Sequence, residues 1–120
     1  MSFIEIESWE IAEGHEAVHH EMMRAWFRFV KEHLPALFAE WKSVRYYRQT
    51  DATGRPTGRY LMMFEFLSAE ARRAYKERRK DWTGPYVAYQ RVAPDAHFSL
   101  GSEKAEYWEP QEVPLWLEFE

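Results

Sequence analysis

Apolar and polar residues alternate along residues 3–11, FIEIESWEI, where Ile4 and Ile6 interleave with Glu5 and Glu7. A period of two is the signature of a strand. Gly14 breaks the pattern, and residues 15–34 change to helical spacing. Val18, Met22, Ala25, Trp26 and Phe29 form one stripe; Met23, Phe27, Val30 and Leu34 form an adjacent one. This arc is wider than packing on one sheet requires, so the helix is expected to meet a second surface as well. Pro35 marks its end. Residues 41–49, WKSVRYYRQ, are rich in β-formers, and TDATGRPTG at 50–58 is dense in turn residues. The near-continuous apolarity of RYLMMFEFL, 59–67, predicts a central strand covered on both faces. Ser68 is placed to cap a helix over 69–82, with Glu70 in its first turn. Gly84-Pro85 interrupts that helix, and Pro85 opens a short new one through about residue 92. Residues 96–100, AHFSL, read as a fourth strand.

The order is β-α-β-β-α-β, the split βαβ or ferredoxin-like arrangement of the α+β class. It predicts an antiparallel sheet with helices on one face, the first and third strands central and the fourth and second at the edges. The chain reads as a single domain over 1–120. Beyond the fourth strand, Val113, Leu115, Leu117 and Phe119 alternate again, so 101–120 is expected to be a C-terminal extension or an added strand. Alternation assigns Ile4, Ile6, Val44, Tyr46, Tyr60, Met62, Phe64, Phe66, Phe98 and Leu100 to the helix-covered face. It sends Glu5, Glu7, Arg45, Tyr47, Glu65, His97 and Ser99 to the opposite face. Three strand carboxylates there need Arg45, His97 or another cation close by, which packing against a second subunit would bring about.

In this order, and in stretches such as FIEIESWEIAEG and GRYLMMFEFLSAEA, the chain resembles the dimeric α/β barrel superfamily. That group includes antibiotic-biosynthesis-monooxygenase-like, haem-degrading and stress-responsive proteins. The resemblance covers about residues 3–100. It implies a homodimer in which two sheets pack face to face with the helices outside. The haem-degrading and quinone-forming branches are associated with an Asn on the first strand, a Trp on the third and a His on the second helix. This chain has no Asn, no Trp in 59–67 and no His in 69–82, so none of those roles carries over.

Six Trp, seven Tyr and eight Phe exceed what one small core needs, and point equally to a core of large residues and to an interface or apolar ligand site. The absence of Cys excludes disulfides and thiolate chemistry. A net charge of −4 argues against general nucleic-acid binding. No apolar run approaches membrane-spanning length and the N-terminus has no basic region, so a cytoplasmic protein is expected.

Residues 15–19, HEAVH, match the H-E-x-x-H zinc pattern, but His15 stands at the start of its helix and a small split-βαβ domain is a poor scaffold for a metalloprotease. No metal and no cofactor is expected. His15 and His19 fall on the arc that carries Trp26, whereas His20 projects from the other flank, one turn after Glu16. They read either as a hydrogen-bonded rim or as ligand and proton-transfer groups. The basic run Arg72, Arg73, Lys76, Arg78, Arg79 and Lys80 reads as a solvated helix face. Two functions follow. One is a small-molecule-binding protein, a cofactor-independent monooxygenase-like enzyme for an aromatic or apolar substrate. In it His19, His15 and Arg48 are catalytic candidates, with His19 as base and Arg48 as anion anchor, and Trp9, Trp26, Tyr46 and Tyr60 are pocket walls. The other is a non-catalytic dimeric binding or interaction protein of the same fold.

Overall fold

A computed structural model describes residues 2–93, 98–111 and 115–119. The elements are β1 (Phe3–Glu10), α1 (Glu16–Glu32), α2 (Leu34–Leu37), β2 (Trp41–Thr50), β3 (Pro56–Phe66), α3 (Ala69–Arg78), a 3-10 turn (Lys80–Trp82), α4 (Tyr86–Arg91) and β4 (Lys104–Trp108). The strands form an antiparallel sheet in the order β2-β3-β1-β4, with β3 and β1 central as the split βαβ pattern requires. Helices cover one face. α1 buries His19, Met23, Trp26 and Val30, a stripe at i, i+4, i+7 and i+11. α3 starts at Ser68, whose Oγ accepts a hydrogen bond from the Ala71 amide at 2.9 Å. After α3 the chain turns sharply, because Asp81 and Trp82 both have positive φ, 62° and 52°.

The fourth strand is not at 96–100. Residues 94–97, which include His97, lie outside the described residues. Phe98 makes only an isolated bridge to Ile11, and Leu100 is fully exposed in a turn. The edge position beside β1 is taken by Lys104–Trp108, so part of the expected extension completes the sheet. Leu115, Leu117 and Phe119 are exposed and outside any strand; Val113 lies outside the described residues.

The register also corrects the faces of β1. Glu5 pairs with Phe64, Glu7 with Met62 and Trp9 with Tyr60. Directly paired residues share a face, so Glu5 and Glu7 lie under the helices, and Ile4 and Ile6 lie on the open face. The physical reason is in the odd-numbered set: Phe3, Trp9 and Ile11 outweigh two isoleucines in area buried. For β2 and β3 the expected phase holds, with Val44, Tyr46, Met62, Phe64 and Phe66 under the helices and Arg45, Tyr47 and Glu65 opposite. The open face therefore carries Ile4, Ile6, Leu61, Met63 and Trp108 as an apolar band, with Glu65 and Glu106 beside Ile4 and Ile6, and Glu5 and Glu7 are absent from it.

Candidate functional site

Two carboxylates on the helix-covered face of β1 demand cations, and α3 supplies them. Arg72, Lys76 and Arg79 recur at i, i+4 and i+7, flanking the buried Tyr75. The run is therefore split. Arg72 Nε donates to Glu5 Oε1 at 2.6 Å, where Glu5 is only 3% exposed. Arg78 is fully engaged elsewhere: it donates to both Glu40 oxygens at 2.6 Å, to the Tyr86 hydroxyl at 2.8 Å and to the Leu37 carbonyl at 3.0 Å. The reading of this run as a solvated face is thus corrected for Arg72, Lys76 and Arg79, while Arg78 stays exposed and is tied to Glu40.

Beyond Glu5, between helices and sheet, lies a cavity of about 350 Å³. Glu7, Trp9, Met62, Phe64 and Ala105 form the sheet side. Trp26, Arg79, Trp82, Tyr89 and Phe98 form the other walls, and Glu103 and Lys104 also line it. Phe98 stacks on Trp9 with centroids 4.5 Å apart. The Arg79 guanidinium lies 4.6 Å above the Trp82 ring and 5.2 Å above Tyr75. Its Nε is buried and has no hydrogen-bond partner among the described residues. A smaller space of about 50 Å³ shares Glu7, Phe64, Arg79 and Tyr89 in its walls and extends to Glu5 and Lys76.

Burial pushes the Glu7 carboxyl up from 4.5 to about 7, and the neighbouring Glu5 charge adds to this; Lys76 and Arg79 pull the other way. Burial lowers Lys76 from its ordinary value, against the attraction of Glu5. Burial also raises the Tyr89 hydroxyl. The cavity thus combines aromatic walls, a stacked guanidinium and a carboxyl that changes charge near neutrality.

Of the residues expected from the sequence, Trp9 and Trp26 line this cavity. His19 stands behind Trp9, fully buried, and its Nε2 accepts the Trp9 indole N–H at 3.2 Å. His15 is exposed at the start of α1, so the two imidazoles of HEAVH occupy different environments. Arg48 is exposed on β2. Tyr60 is buried and stacks on Tyr46, which borders a separate shallow depression with His20 and Met23. His20 is not a surface partner of Glu16 alone: it is half-buried, and its Nδ1 lies 3.2 Å from the Tyr46 hydroxyl. Burial and the adjacent Tyr60 raise the Tyr46 hydroxyl above its ordinary value. Sequence reasoning missed Glu7, Arg79 and Trp82 as wall residues. The helical spacing of Arg72, Tyr75, Lys76 and Arg79 was the signal that could have found Arg79.

No protein-family model matches the chain, and no curated protein matches it. Solved structures do. A NIPSNAP family protein from Agrobacterium tumefaciens superposes with a TM-score of 0.62 at 16% identity, covering 96% of this chain and 99% of the other. A monooxygenase from Streptomyces coelicolor, solved in complex with nanaomycin D, gives 0.59 at 17% identity over 93% and 89%. A dimeric ferredoxin-like protein of unknown function from Jannaschia gives 0.60 at 14% identity over 92% and 100%. At these identities the likeness is one of fold: this is the ferredoxin-like α+β fold that antibiotic-biosynthesis-monooxygenase-like proteins share.

Proposed function

We propose that this protein binds a small planar aromatic molecule in the cavity walled by Trp9, Trp26 and Trp82. The observation that carries the reading is the cavity itself: a space of about 350 Å³ with three indoles and a few convergent polar groups in its wall. Trp9 and Trp26 are the ring-binding walls, and His19 is a positioning residue that fixes the Trp9 indole through its hydrogen bond. The reaction class proposed is cofactor-free oxygenation by O₂, as in a monooxygenase-like enzyme; the nanaomycin D held by the Streptomyces monooxygenase supports this reading, and fused bicyclic aromatics that fit the indole walls are the first probes. Calorimetric melting with a naphthoquinone or naphthol should raise Tm, and Trp26→Ala should abolish the rise. Oxygen uptake with the naphthol then tests the catalysis. A panel of such compounds that leaves Tm unchanged would remove this reading.

The second reading concerns assembly. We propose a homodimer in which the open sheet face of one copy covers that of another. Support comes from the band of Ile4, Ile6, Leu61, Met63 and Trp108 on that face and from the dimeric Jannaschia protein of the same fold.

A further inference from the structure

We propose that the ligand of the cavity is an aromatic carboxylate, seated with its anionic group against the Arg79 guanidinium and the Glu7 carboxyl and its ring among Trp9, Trp26 and Trp82. This deepens the binding reading above and rests on it.

Under the helices stand three cations, Arg72, Lys76 and Arg79, and two acids, Glu5 and Glu7. Arg72 and Glu5 neutralise each other in a 2.6 Å contact. Glu7 is held largely in its neutral form below about pH 7. Arg79 then faces the cavity with no ion pair of its own among the described residues, in contrast to Arg78, which lies against Glu40 at 2.6 Å. A guanidinium taken out of water without a counter-ion is costly, and an incoming anion removes that cost.

Geometry selects the anion. The Arg79 guanidinium lies over both the Tyr75 and the Trp82 ring, and its remaining N–H groups form a planar fork. A carboxylate is planar and matches that fork with two parallel hydrogen bonds. Glu7, hydrogen-bonded to Glu5 in its protonated form, adds no second negative charge beside that anion. Trp82 is held in the left-handed region at φ 52°, a strained conformation for a bulky residue, and this is what turns its ring onto Arg79 and into the cavity.

The arrangement makes binding pH-dependent. The groups facing Glu7 are Glu5 on its own strand, Lys76 and Arg79 from α3 and its C-cap, and Tyr89 from α4. Glu103 and Lys104 lie before and at the start of β4. β3 and α1 present only Met62, Phe64 and Trp26 to the cavity. When Glu7 ionises it repels the bound anion, so affinity falls as pH rises through about 7.

Isothermal titration of the intact protein with 2-naphthoate and with its neutral analogue 2-naphthalenemethanol tests this at about pH 6 and about pH 8.5. Naphthoate should bind at least about tenfold more tightly than the alcohol at the lower pH, the difference expected of a charge-assisted pair. The preference should shrink at the higher pH, and Glu7→Gln should make it independent of pH. Arg79→Lys, which keeps the charge but loses the fork, should lose most of the preference. Equal binding of acid and alcohol by the unmodified protein would overturn the carboxylate proposal and leave the aromatic-binding reading intact. Binding of neither would overturn both. Tighter binding of 2-naphthyl phosphate than of naphthoate would overturn the choice of carboxylate.

Discussion

Glu7 shows how one side chain links fold stability to site chemistry. Its ordinary value is 4.5, and in the folded chain it rises to about 7 through burial and the Glu5 charge. Between these values the folded chain holds a proton that the unfolded chain has released, so stability falls as pH climbs through that window. Glu7→Gln cannot ionise. It should match the parent below about pH 4.5, gain on it progressively, and well above pH 7 exceed it by roughly 3 kcal/mol, following 1.36 kcal/mol for each unit of difference. Urea denaturation at about pH 5 and about pH 8 measures this, and a gap that does not widen between them would contradict it. His19 poses the opposite problem. Fully buried against Trp9, it contributes volume as well as an acceptor, and His19→Ala should destabilise the fold by about 2–4 kcal/mol, read as a lower denaturation midpoint.

At the scale of elements, α3 holds the site together, since it brings Arg72 to Glu5 and ends at Arg79. Its start depends on the Ser68 hydroxyl, so Ser68→Ala should cost about 1 kcal/mol by thermal melting. The elements themselves were legible. Periodicity located α1, the Ser68 cap, the Gly84-Pro85 break and the three strands up to Phe66, because each rests on local spacing. The phase of β1 was not legible, because both of its faces mix apolar and charged residues. The larger apolar area of Phe3, Trp9 and Ile11 decides between them, and it can bury Glu5 because α3, more than sixty positions along the chain, brings Arg72 to it. β4 was missed for a related reason. KAEYW has weak strand character of its own and pairs because β1 offers an open edge. The site inherited both errors: with Glu7 assigned to the wrong face and Arg79 assigned to solvent, only Trp9 and Trp26 remained to mark the cavity.

For the whole molecule, the apolar open face is the proposed subunit interface. The radius of gyration, 15.7 Å, exceeds the roughly 14 Å expected of a compact chain of this length, in keeping with a face and tail left outside the core. Light scattering after size exclusion should give about twice the 14.5 kDa chain mass. Met63→Glu, which sets a charge in the apolar band, should halve that mass; a monomeric parent at micromolar concentration would end the homodimer reading. One feature of the cavity has an optical consequence. The six Trp divide by environment: Trp9 and Trp26 are 3% exposed and Trp41 8%, Trp82 is intermediate, and Trp108 and Trp116 are 57% and 63% exposed. The protein's emission should therefore separate into a blue component shielded from acrylamide and a red component open to it, carried by Trp116, since Trp108 lies in the apolar band of the proposed interface. Because three of the more buried indoles border the cavity, a bound aromatic should extinguish the blue component selectively, and the chain carries its own occupancy signal without any added dye.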